Sequence, residues 1–202
     1  MLNLKKTLKK GAVTGGLSCG KSSVCRFFEE LGAYVVSADE IVHKLLSSNQ
    51  EIIQETVKLL GSDILINNQI DRLKIAKKVF DHPLLLNALE TLLHPAVQKE
   101  IKDQYECKKN EGSASLFIAE IPLLFEINAN FFFDFTIAVI ADEKICKERF
   151  QKTGHTKEEF ASRQKRQLGN VEKSEKADYT IVNNGSLKEL KTAVIELYKK
   201  IK

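Results

Sequence analysis

Residues 15–22 read Gly-Gly-Leu-Ser-Cys-Gly-Lys-Ser, and this stretch fits the phosphate-binding pattern G-x-x-x-x-G-K-[ST]. The three residues before it, 12–14, are typical of the end of a short buried strand. The residues after it place apolar side chains at i, i+3, i+4 and i+7, which predicts an amphipathic helix: they are Val24, Phe27, Phe28 and Leu31. A strand, a glycine-rich turn and a helix form the context that the pattern requires. The sequence therefore predicts a loop that binds a nucleoside triphosphate.

Each residue type in this loop suits a particular part of the triphosphate. The backbone N–H groups would converge on phosphate oxygens at the positive end of a helix. Lys21 would bring a mobile positive charge to the terminal phosphates, and the Ser22 hydroxyl would coordinate Mg²⁺. The alternative is a glycine turn that carries a solvated lysine. The expected ATP-binding residues are Gly15, Ser18, Cys19, Gly20, Lys21, Ser22 and Ser23.

The composition is that of a globular protein of 202 residues, with 43% hydrophobic and 29% charged residues. Its formal charge of +4 is mild, and an excess of cationic groups suits a phosphorylated substrate. Lysines crowd the first ten and last five residues, where solvated ends are a simpler explanation than nucleic-acid binding. No apolar run approaches the roughly 18 residues of a membrane span. We expect neither a nucleic-acid partner nor a membrane partner.

The four cysteines form no C-x-x-C pair and no zinc-ligand pattern. Cys25 and Cys146 lie in helical patterns and are expected to be buried free thiols, whereas Cys19 would be reactive if exposed. Free thiols indicate a reducing compartment, and the N-terminal segment lacks the apolar region of a signal peptide. We therefore expect a cytoplasmic protein.

Strand-like and helix-like segments alternate along the chain. This alternation predicts an α/β fold with a doubly wound parallel sheet of about five strands, of the P-loop kinase type, in a single domain of residues 1–202. Capping-box patterns at Thr156 with Glu159 and at Ser186 with Glu189 predict two helix starts. The four further strands are expected at residues 33–37, 115–119, 135–140 and 179–182.

Residues 40–110 contain helical patterns and no convincing strand, so we expect an inserted helical region that receives the second substrate. Asn67 and Asn68 mark a loop in it, and Asp71 is expected to cap a helix. Pro95 is expected to kink or break the leucine-rich helix that begins near residue 84.

Motifs outside the loop separate the classes of nucleotide-binding protein. The D-x-x-G and N-K-x-D patterns of GTPases do not occur in the sequence. Motor ATPases usually continue an apolar strand into an acidic metal-binding residue, and the candidate strand here ends in Glu120 rather than Asp. The short chain and the inserted helical region favour a small-molecule kinase.

Five separated segments resemble the dephospho-CoA kinase family. This resemblance implies ATP-dependent phosphorylation of the 3′-hydroxyl of dephospho-CoA with Mg²⁺, and it implies a mobile lid at about residues 149–172. The phosphate loop is generic, whereas the LLHP and IPLLFE elements are more particular to the family. The segments are residues 14–22 (TGGLSCGKS), 37–39 (SAD), 92–95 (LLHP), 121–126 (IPLLFE) and 177–186 (ADYTIVNNGS).

Three departures from the family pattern bear on the site. Ser37 stands where the family usually has a first Asp, so only Asp39 remains of that carboxylate pair. Glu120 occupies a position at which the family often has Asp. Before the lid, Arg149 matches the first of two usual arginines, while Lys152 or Thr153 stands near the second.

Asp39 is the candidate catalytic base. It follows the second expected strand, and parallel strands bring their carboxyl ends to the edge where such folds bind ligands. A carboxylate there can orient and deprotonate an attacking hydroxyl. The alternative is a helix N-cap, which Asp also suits.

The resemblance assigns two arginines to the reaction. Arg72 would contact the anionic acceptor, since a guanidinium can donate two parallel hydrogen bonds to phosphate. Arg149 would stabilise the transferring phosphoryl group as a catalytic residue. Solvated helix charges are the alternative for both residues, and also for Arg163 and Arg166 on the lid helix.

We assign no chemical role in the reaction to His94 or to residues 131–133. Phosphoryl transfer needs positioning and charge rather than a histidine nucleophile, so His94 is expected to cap a helix or to line the substrate pocket. Residues 131–133, three phenylalanines, are expected in the core or in a hydrophobic contact. The rival functions are another small-molecule or nucleoside kinase, and a nucleotide-binding regulatory protein without transfer activity.

Overall fold

The computed structural model of the chain describes residues 7–80 and 82–202. It divides into two compact units, one formed by residues up to 37 together with residues 105–202, and the other by residues 38–104. Lys5 and Lys6, part of the expected solvated N-terminal segment, lie outside the described residues. Among the helices that the structure describes, none has the length and apolar character needed to cross a bilayer.

Strands and helices alternate in the order that the sequence predicts. The strands are β1 (Lys10–Gly15), β2 (Tyr34–Ser37), β3 (Leu65–Ile66), β4 (Gln69–Ile70), β5 (Phe117–Glu120), β6 (Phe135–Ile140) and β7 (Tyr179–Val182). The helices are α1 (Lys21–Glu30), α2 (Ala38–Ser48), α3 (Gln50–Leu60), α4 (Arg72–Phe80), α5 (Pro83–Glu111), α6 (Glu143–Lys152), α7 (Lys157–Gln164), α8 (Asn170–Lys176) and α9 (Leu187–Ile201). Two 3₁₀ turns cover Ser62–Ile64 and Asn130–Phe132.

The first unit is built on a parallel sheet. Within the described residues this sheet has five strands in the order β2-β5-β1-β6-β7, which confirms the predicted fold class. Glu120, the last residue of β5, is in register with Val13 of β1 on one side and with Ser37 of β2 on the other. The carboxyl ends of these strands therefore meet at one edge, where the phosphate loop leaves β1.

The core of this unit confirms the predicted helix faces. Val24, Phe27 and Phe28 of α1 are buried, and Leu31 packs against the same cluster in partly buried form. Phe28 has no exposed surface, so its truncation to Ala would cost about 3–5 kcal/mol. Both predicted capping boxes are present, one before α7 and one before α9. The apolar face of α9 is buried through Leu190, Val194, Leu197 and Ile201.

The second unit is helical apart from a small hairpin. β3 and β4 pair antiparallel across Asn67 and Asn68, whose φ angles are 51° and 61°. Asparagine tolerates this left-handed conformation, which two-residue hairpin turns require at both positions. The expectation of no strand between residues 40 and 110 was therefore wrong, because strands of two residues leave no apolar alternation to detect. Asp71 does cap α4, since its Oδ1 accepts from the N–H groups of Leu73 and Lys74.

Helix α5 continues through Pro95, so the expected break at this residue is wrong. Proline removes one backbone hydrogen bond, but apolar residues continue to be buried at helical spacing on both sides of it. The same continuity places His94 in the helix interior and excludes a capping role. The buried residues are Leu89, Leu93, Val97 and Ile101.

Phe131 and Phe132 do not lie in the core, so of the two placements expected for this stretch the core is wrong for them. Phe131 is 73% exposed and Phe132 is 41% exposed, and their ring centroids are 4.4 Å apart. A 3₁₀ turn at Asn130–Phe132 carries these two rings at the surface, where they make a hydrophobic contact with each other.

Candidate active site at the phosphate loop

The phosphate loop joins the central strand β1 to α1 in a conformation that needs glycine at its tightest points. Gly20 has a φ of 100°, and a Cβ atom there would collide with the side-chain amide of Asn183. A Cβ on Gly16 would likewise meet Oδ1 of Asn170. Ser18 also adopts a positive φ, of 56°. Alternation of right- and left-handed residues turns successive N–H groups towards a common point and so forms an anion-binding concavity.

Lys21 is the first residue of α1, and its side chain folds back over the loop. Its Nζ donates to the carbonyl oxygens of Gly16, at 2.9 Å, and of Gly15, at 3.3 Å. The first N–H groups of a helix have no intrahelical partner, so Lys21, Ser22 and Ser23 present donors as well as a positive charge. This end of α1 carries the features that bind a polyphosphate.

The side chains of Ser22 and Glu120 meet at the carboxyl edge of the sheet. The Ser22 hydroxyl donates to Oε1 of Glu120 at 2.9 Å. Hydroxyl and carboxylate oxygens are the ligands that Mg²⁺ prefers, and this ion usually combines one or two protein groups with substrate phosphates and water. The described residues contain no group of three or more His, Cys, Asp or Glu placed to hold a metal. The Ser22–Glu120 pair therefore fits Mg²⁺ held jointly with a nucleotide.

A buried lysine supports the loop from the protein side. Lys173 of α8 has no exposed side-chain surface. Its Nζ donates to the carbonyl oxygen of Pro122 at 2.6 Å and to that of Gly15 at 3.5 Å, and it lies 3.0 Å from Oε1 of Glu126. Burial lowers the pKa of Lys173, and the Glu126 carboxylate opposes this shift. Glu126 also accepts the N–H of Leu168, so the cluster connects the loop to the segment between α7 and α8.

Two asparagines complete the support of the loop. Nδ2 of Asn183, directly after β7, donates to the carbonyl oxygen of Cys19 at 2.8 Å. Nδ2 of Asn170 donates to the carbonyl oxygen of Ala141 at 2.8 Å, while its Oδ1 faces Gly16. Sequence reasoning gave no role to Lys173, Glu126 or these asparagines. Glu126 and Asn183 lie in segments that carry the family resemblance, and this position was the sequence signal that could have identified them as site residues.

All four cysteines are free thiols, and the prediction that Cys25 and Cys146 are buried is confirmed. Cys19 is buried as well, with its Sγ 3.2 Å from Sγ of Cys146. The hydrogen bond with Cys146 lowers the pKa of Cys19; burial opposes the shift, and the charge of Lys21 adds to it. The same hydrogen bond, followed by burial, raises the pKa of Cys146. Burial, followed by the nearby Glu120 carboxylate, raises the pKa of Cys25.

Arg149 lies in the last turn of α6. Its Nη1 is buried and has no hydrogen-bond partner among the described residues. A buried guanidinium nitrogen left without an acceptor is costly, so this atom is suited to receive an anion. Arg163 of α7 instead lies over the Phe150 ring, with its Cζ 5.5 Å from the ring centroid. Arg166 lies in the segment between α7 and α8.

The other two predicted site residues belong to the helical unit. Asp39 lies in the first turn of α2, two residues beyond the end of β2 at Ser37. Because α2 begins at Ala38, Asp39 lies inside the first turn rather than at the cap. A carboxylate in the first turn also interacts favourably with the helix dipole. Arg72 is the first residue of α4, and its side chain is exposed.

A parallel α/β sheet with a phosphate loop after its central strand and a serine–carboxylate pair beside it is typical of P-loop nucleotide-binding proteins, the class that includes the P-loop kinases. The sequence model of the dephospho-CoA kinase family matches residues 11–189. A dephospho-CoA kinase of Protochlamydia amoebophila is 52% identical over 197 residues, covering 96% of this chain and 97% of the relative. The chain belongs to the dephospho-CoA kinase family.

Solved structures agree with this assignment. A protein from Thermus thermophilus superposes with a TM-score of 0.82 at 26% identity, covering 98% of this chain and all of that one. A dephospho-CoA kinase from Campylobacter jejuni superposes with a TM-score of 0.64 at 25% identity, covering 96% and 97%.

Proposed function

We infer that this chain performs the reaction of its family, the transfer of a phosphoryl group from ATP to the 3′-hydroxyl of dephospho-CoA, which is the last step of coenzyme A biosynthesis. The observation that carries this conclusion is the family match over nearly the whole chain, together with an intact phosphate loop. The residue roles below are our proposals for how the site performs the reaction.

The phosphate loop holds the donor. The N–H groups of residues 15–23 surround the β- and γ-phosphates, and the Nζ of Lys21 exchanges its carbonyl partners for phosphate oxygens. Ser22 and Glu120 would hold Mg²⁺, which would supply neutralisation of charge on the phosphates. Support for this role is the 2.9 Å hydrogen bond between the two side chains, which places both oxygens at one point.

Asp39 acts as the base for the acceptor. A carboxylate that accepts the proton of the 3′-hydroxyl raises the nucleophilicity of that oxygen while the hydroxyl is held in line with the γ-phosphate. The position of Asp39, two residues after β2, supports this role because β2 ends in register with Glu120. Ser37 carries no carboxylate, so the role falls on Asp39 alone.

Two arginines interact with the anionic groups of the acceptor and of the transferring phosphoryl group. Residues 40–110 receive the acceptor, and Arg72 binds its pyrophosphate through paired guanidinium donors. Arg149, at the start of a lid of about residues 149–172, stabilises the charge of the transferring group. The buried Nη1 of Arg149, which lacks an acceptor among the described residues, supports an anion as its partner. The free thiols suit the reducing environment of the cytoplasm, where we place the protein.

A panel of acceptors tests the function. The enzyme is incubated with ATP and Mg²⁺ in the presence of dephospho-CoA, adenosine or a series of other nucleosides, and ADP release is measured. Fragmentation mass spectrometry of the product should place the new phosphate on the 3′-oxygen of dephospho-CoA. Turnover of nucleosides with no turnover of dephospho-CoA would select a nucleoside kinase, and absence of turnover with every acceptor would favour a regulatory nucleotide-binding protein.

A further inference from the structure

We propose that Cys19 and Cys146 are a modification site, at which a peroxide oxidant forms a reversible disulfide that disables the phosphate loop. Cys19 lies in the loop itself, and Cys146 lies on α6, 127 residues away in sequence. The proposal rests on the assigned role of the loop in binding the donor.

The two sulfur atoms are already in contact. They are 3.2 Å apart, and both side chains are buried, at 0% and 2% exposure. A disulfide has an S–S distance of about 2.05 Å, so bond formation requires the sulfurs to approach by roughly 1 Å. Burial holds both side chains in place, which keeps the pair preorganised for this bond.

A small partly open cavity adjoins the pair, and because Cys19 has no exposed surface, an oxidant reaches its sulfur through local opening of the cavity wall. The cavity measures about 30 Å³ and is lined by Cys19, Cys146, Gly16, Leu168 and Asn170 among others. Such a volume holds water-sized molecules, and hydrogen peroxide is of this class. Larger disulfides such as oxidised glutathione would not enter it.

The positions of the two residues give them different roles. Cys19 lies in the loop two residues before Lys21, whose positive charge favours its thiolate, so we assign it as the nucleophile. Its sulfur attacks one oxygen of hydrogen peroxide, the O–O bond breaks, and a sulfenic acid and hydroxide form. The hydroxide removes the proton of Cys146, whose sulfur then attacks Sγ of Cys19 and expels a second hydroxide, which is protonated to water. The balance is two thiols and one peroxide to one disulfide and two waters, and a dithiol reductant reverses it.

The disulfide would distort the part of the loop that binds phosphate. Cys19 lies between Ser18 and Gly20, whose positive φ angles shape the anion-binding concavity. Its carbonyl is fixed by Asn183, so a shift of the sulfur towards α6 strains the backbone rather than moving the loop as a body. Misplacement by about 1 Å at a catalytic site can cost a hundredfold in rate. We expect at least about a tenfold loss of activity and of ATP affinity.

Peroxide treatment of the reduced full-length protein tests the proposal. Non-reducing peptide mapping should recover a cross-linked peptide pair containing Cys19 and Cys146, with the loss of two hydrogen atoms. Binding of a fluorescent ATP analogue should weaken by at least about tenfold and return after treatment with dithiothreitol. The binding assay needs no acceptor, so it remains informative if the assigned reaction is wrong.

Two variants provide matched comparisons. Cys146→Ser removes the partner sulfur and leaves the sequence of the loop unchanged. No cross-linked pair should therefore form, and the reversible loss of ATP affinity should disappear. Cys107→Ser removes an exposed thiol and should behave as the wild type. Absence of the cross-linked pair in oxidised wild type, or its presence with unchanged ATP affinity, would overturn the proposal.

Discussion

Lys173, which is fully buried, and Glu126, which is largely buried, form an ion pair beneath the phosphate loop, with Nζ and Oε1 3.0 Å apart. The same ammonium group donates to the carbonyl oxygens of Pro122 and Gly15, so one side chain ties the loop to the segment that follows β5. The second carboxylate oxygen, Oε2 of Glu126, is buried and has no partner among the described residues. The negative charge of the Glu126 carboxylate therefore depends on Lys173 for its compensation.

Lys173→Met should destabilise the fold by about 3–5 kcal/mol, because it leaves the Glu126 carboxylate buried without its counter-charge. The check is chemical denaturation followed by circular dichroism. Lys176→Met is the matched control on the same helix, since Lys176 is exposed and its ion pair with Glu172 is 3.9 Å long. The double variant Lys173→Met with Glu126→Gln should recover part of the loss. A single variant as stable as the control would show that the buried pair contributes little.

Lys21→Met should lower the rate of phosphoryl transfer by at least about a hundredfold while the fold is retained, because the charge nearest the moving phosphoryl group is lost. Single-turnover product formation measures the effect, and circular dichroism verifies the fold. Lys199→Met, on the exposed side of α9, serves as the control and should leave the rate unchanged. Near-normal transfer in folded Lys21→Met would remove this lysine from the mechanism.

Glu120→Gln should raise the Mg²⁺ concentration that supports half-maximal activity, because a neutral amide is a weaker ligand for this ion than a carboxylate. Glu120→Asp keeps the carboxylate that the family often has at this position and should stay close to the wild type. Activity is measured against Mg²⁺ concentration at saturating ATP. Identical Mg²⁺ curves for the Gln and Asp variants would place the metal elsewhere.

Asp39→Asn should lower kcat by at least about a hundredfold, the lower range for a general base. ATP affinity should change little, since the donor is held by the phosphate loop. Steady-state kinetics and nucleotide titration separate the two quantities, with Glu40→Gln at the next position as the control. If kcat is retained and the melting temperature falls instead, Asp39 serves the helix dipole of α2 rather than the reaction.

Arg72→Ala should reduce kcat/KM for dephospho-CoA far more than for adenosine, which offers the same hydroxyl without the pyrophosphate. Binding energy from a remote group positions the reacting atoms, so its loss should lower kcat and raise KM together. Steady-state kinetics with both acceptors measures the ratio. An equal effect on the two acceptors would show that Arg72 does not recognise the pyrophosphate.

The sequence predicted strands and helix faces correctly where the local pattern and the overall fold favour the same types of residue. The five strands of the sheet are predicted by apolar runs, and the helix faces of α1 and α9 by their periodicity. The loop residues follow from a pattern in which each position has a physical reason. Pro95 misled the prediction because the rule for proline describes backbone geometry alone, while burial of Leu93 and Val97 stabilises the helix on either side.

The supporting residues of the site were beyond the reach of local patterns. Lys173 lies among charged residues in α8 and resembles a solvated lysine, and only the tertiary fold buries it against Pro122. The contact of Cys19 with Cys146 likewise joins residues 127 apart. Phe131 and Phe132 show the reverse case, since apolar character predicted burial and a 3₁₀ turn places them at the surface.

The hydrogen bond from Asn183 to the carbonyl of Cys19 spans 164 residues and has a consequence for synthesis of the chain. The phosphate loop is translated before the side chain that braces it, because Asn183 follows β7. Lys173 and Asn170, which also support the loop, are likewise translated long after it. A nascent chain released before residue 170 would carry the complete phosphate-binding motif without any of these three supports. The phosphate loop therefore acquires its full set of supporting contacts only after residue 183 has been translated.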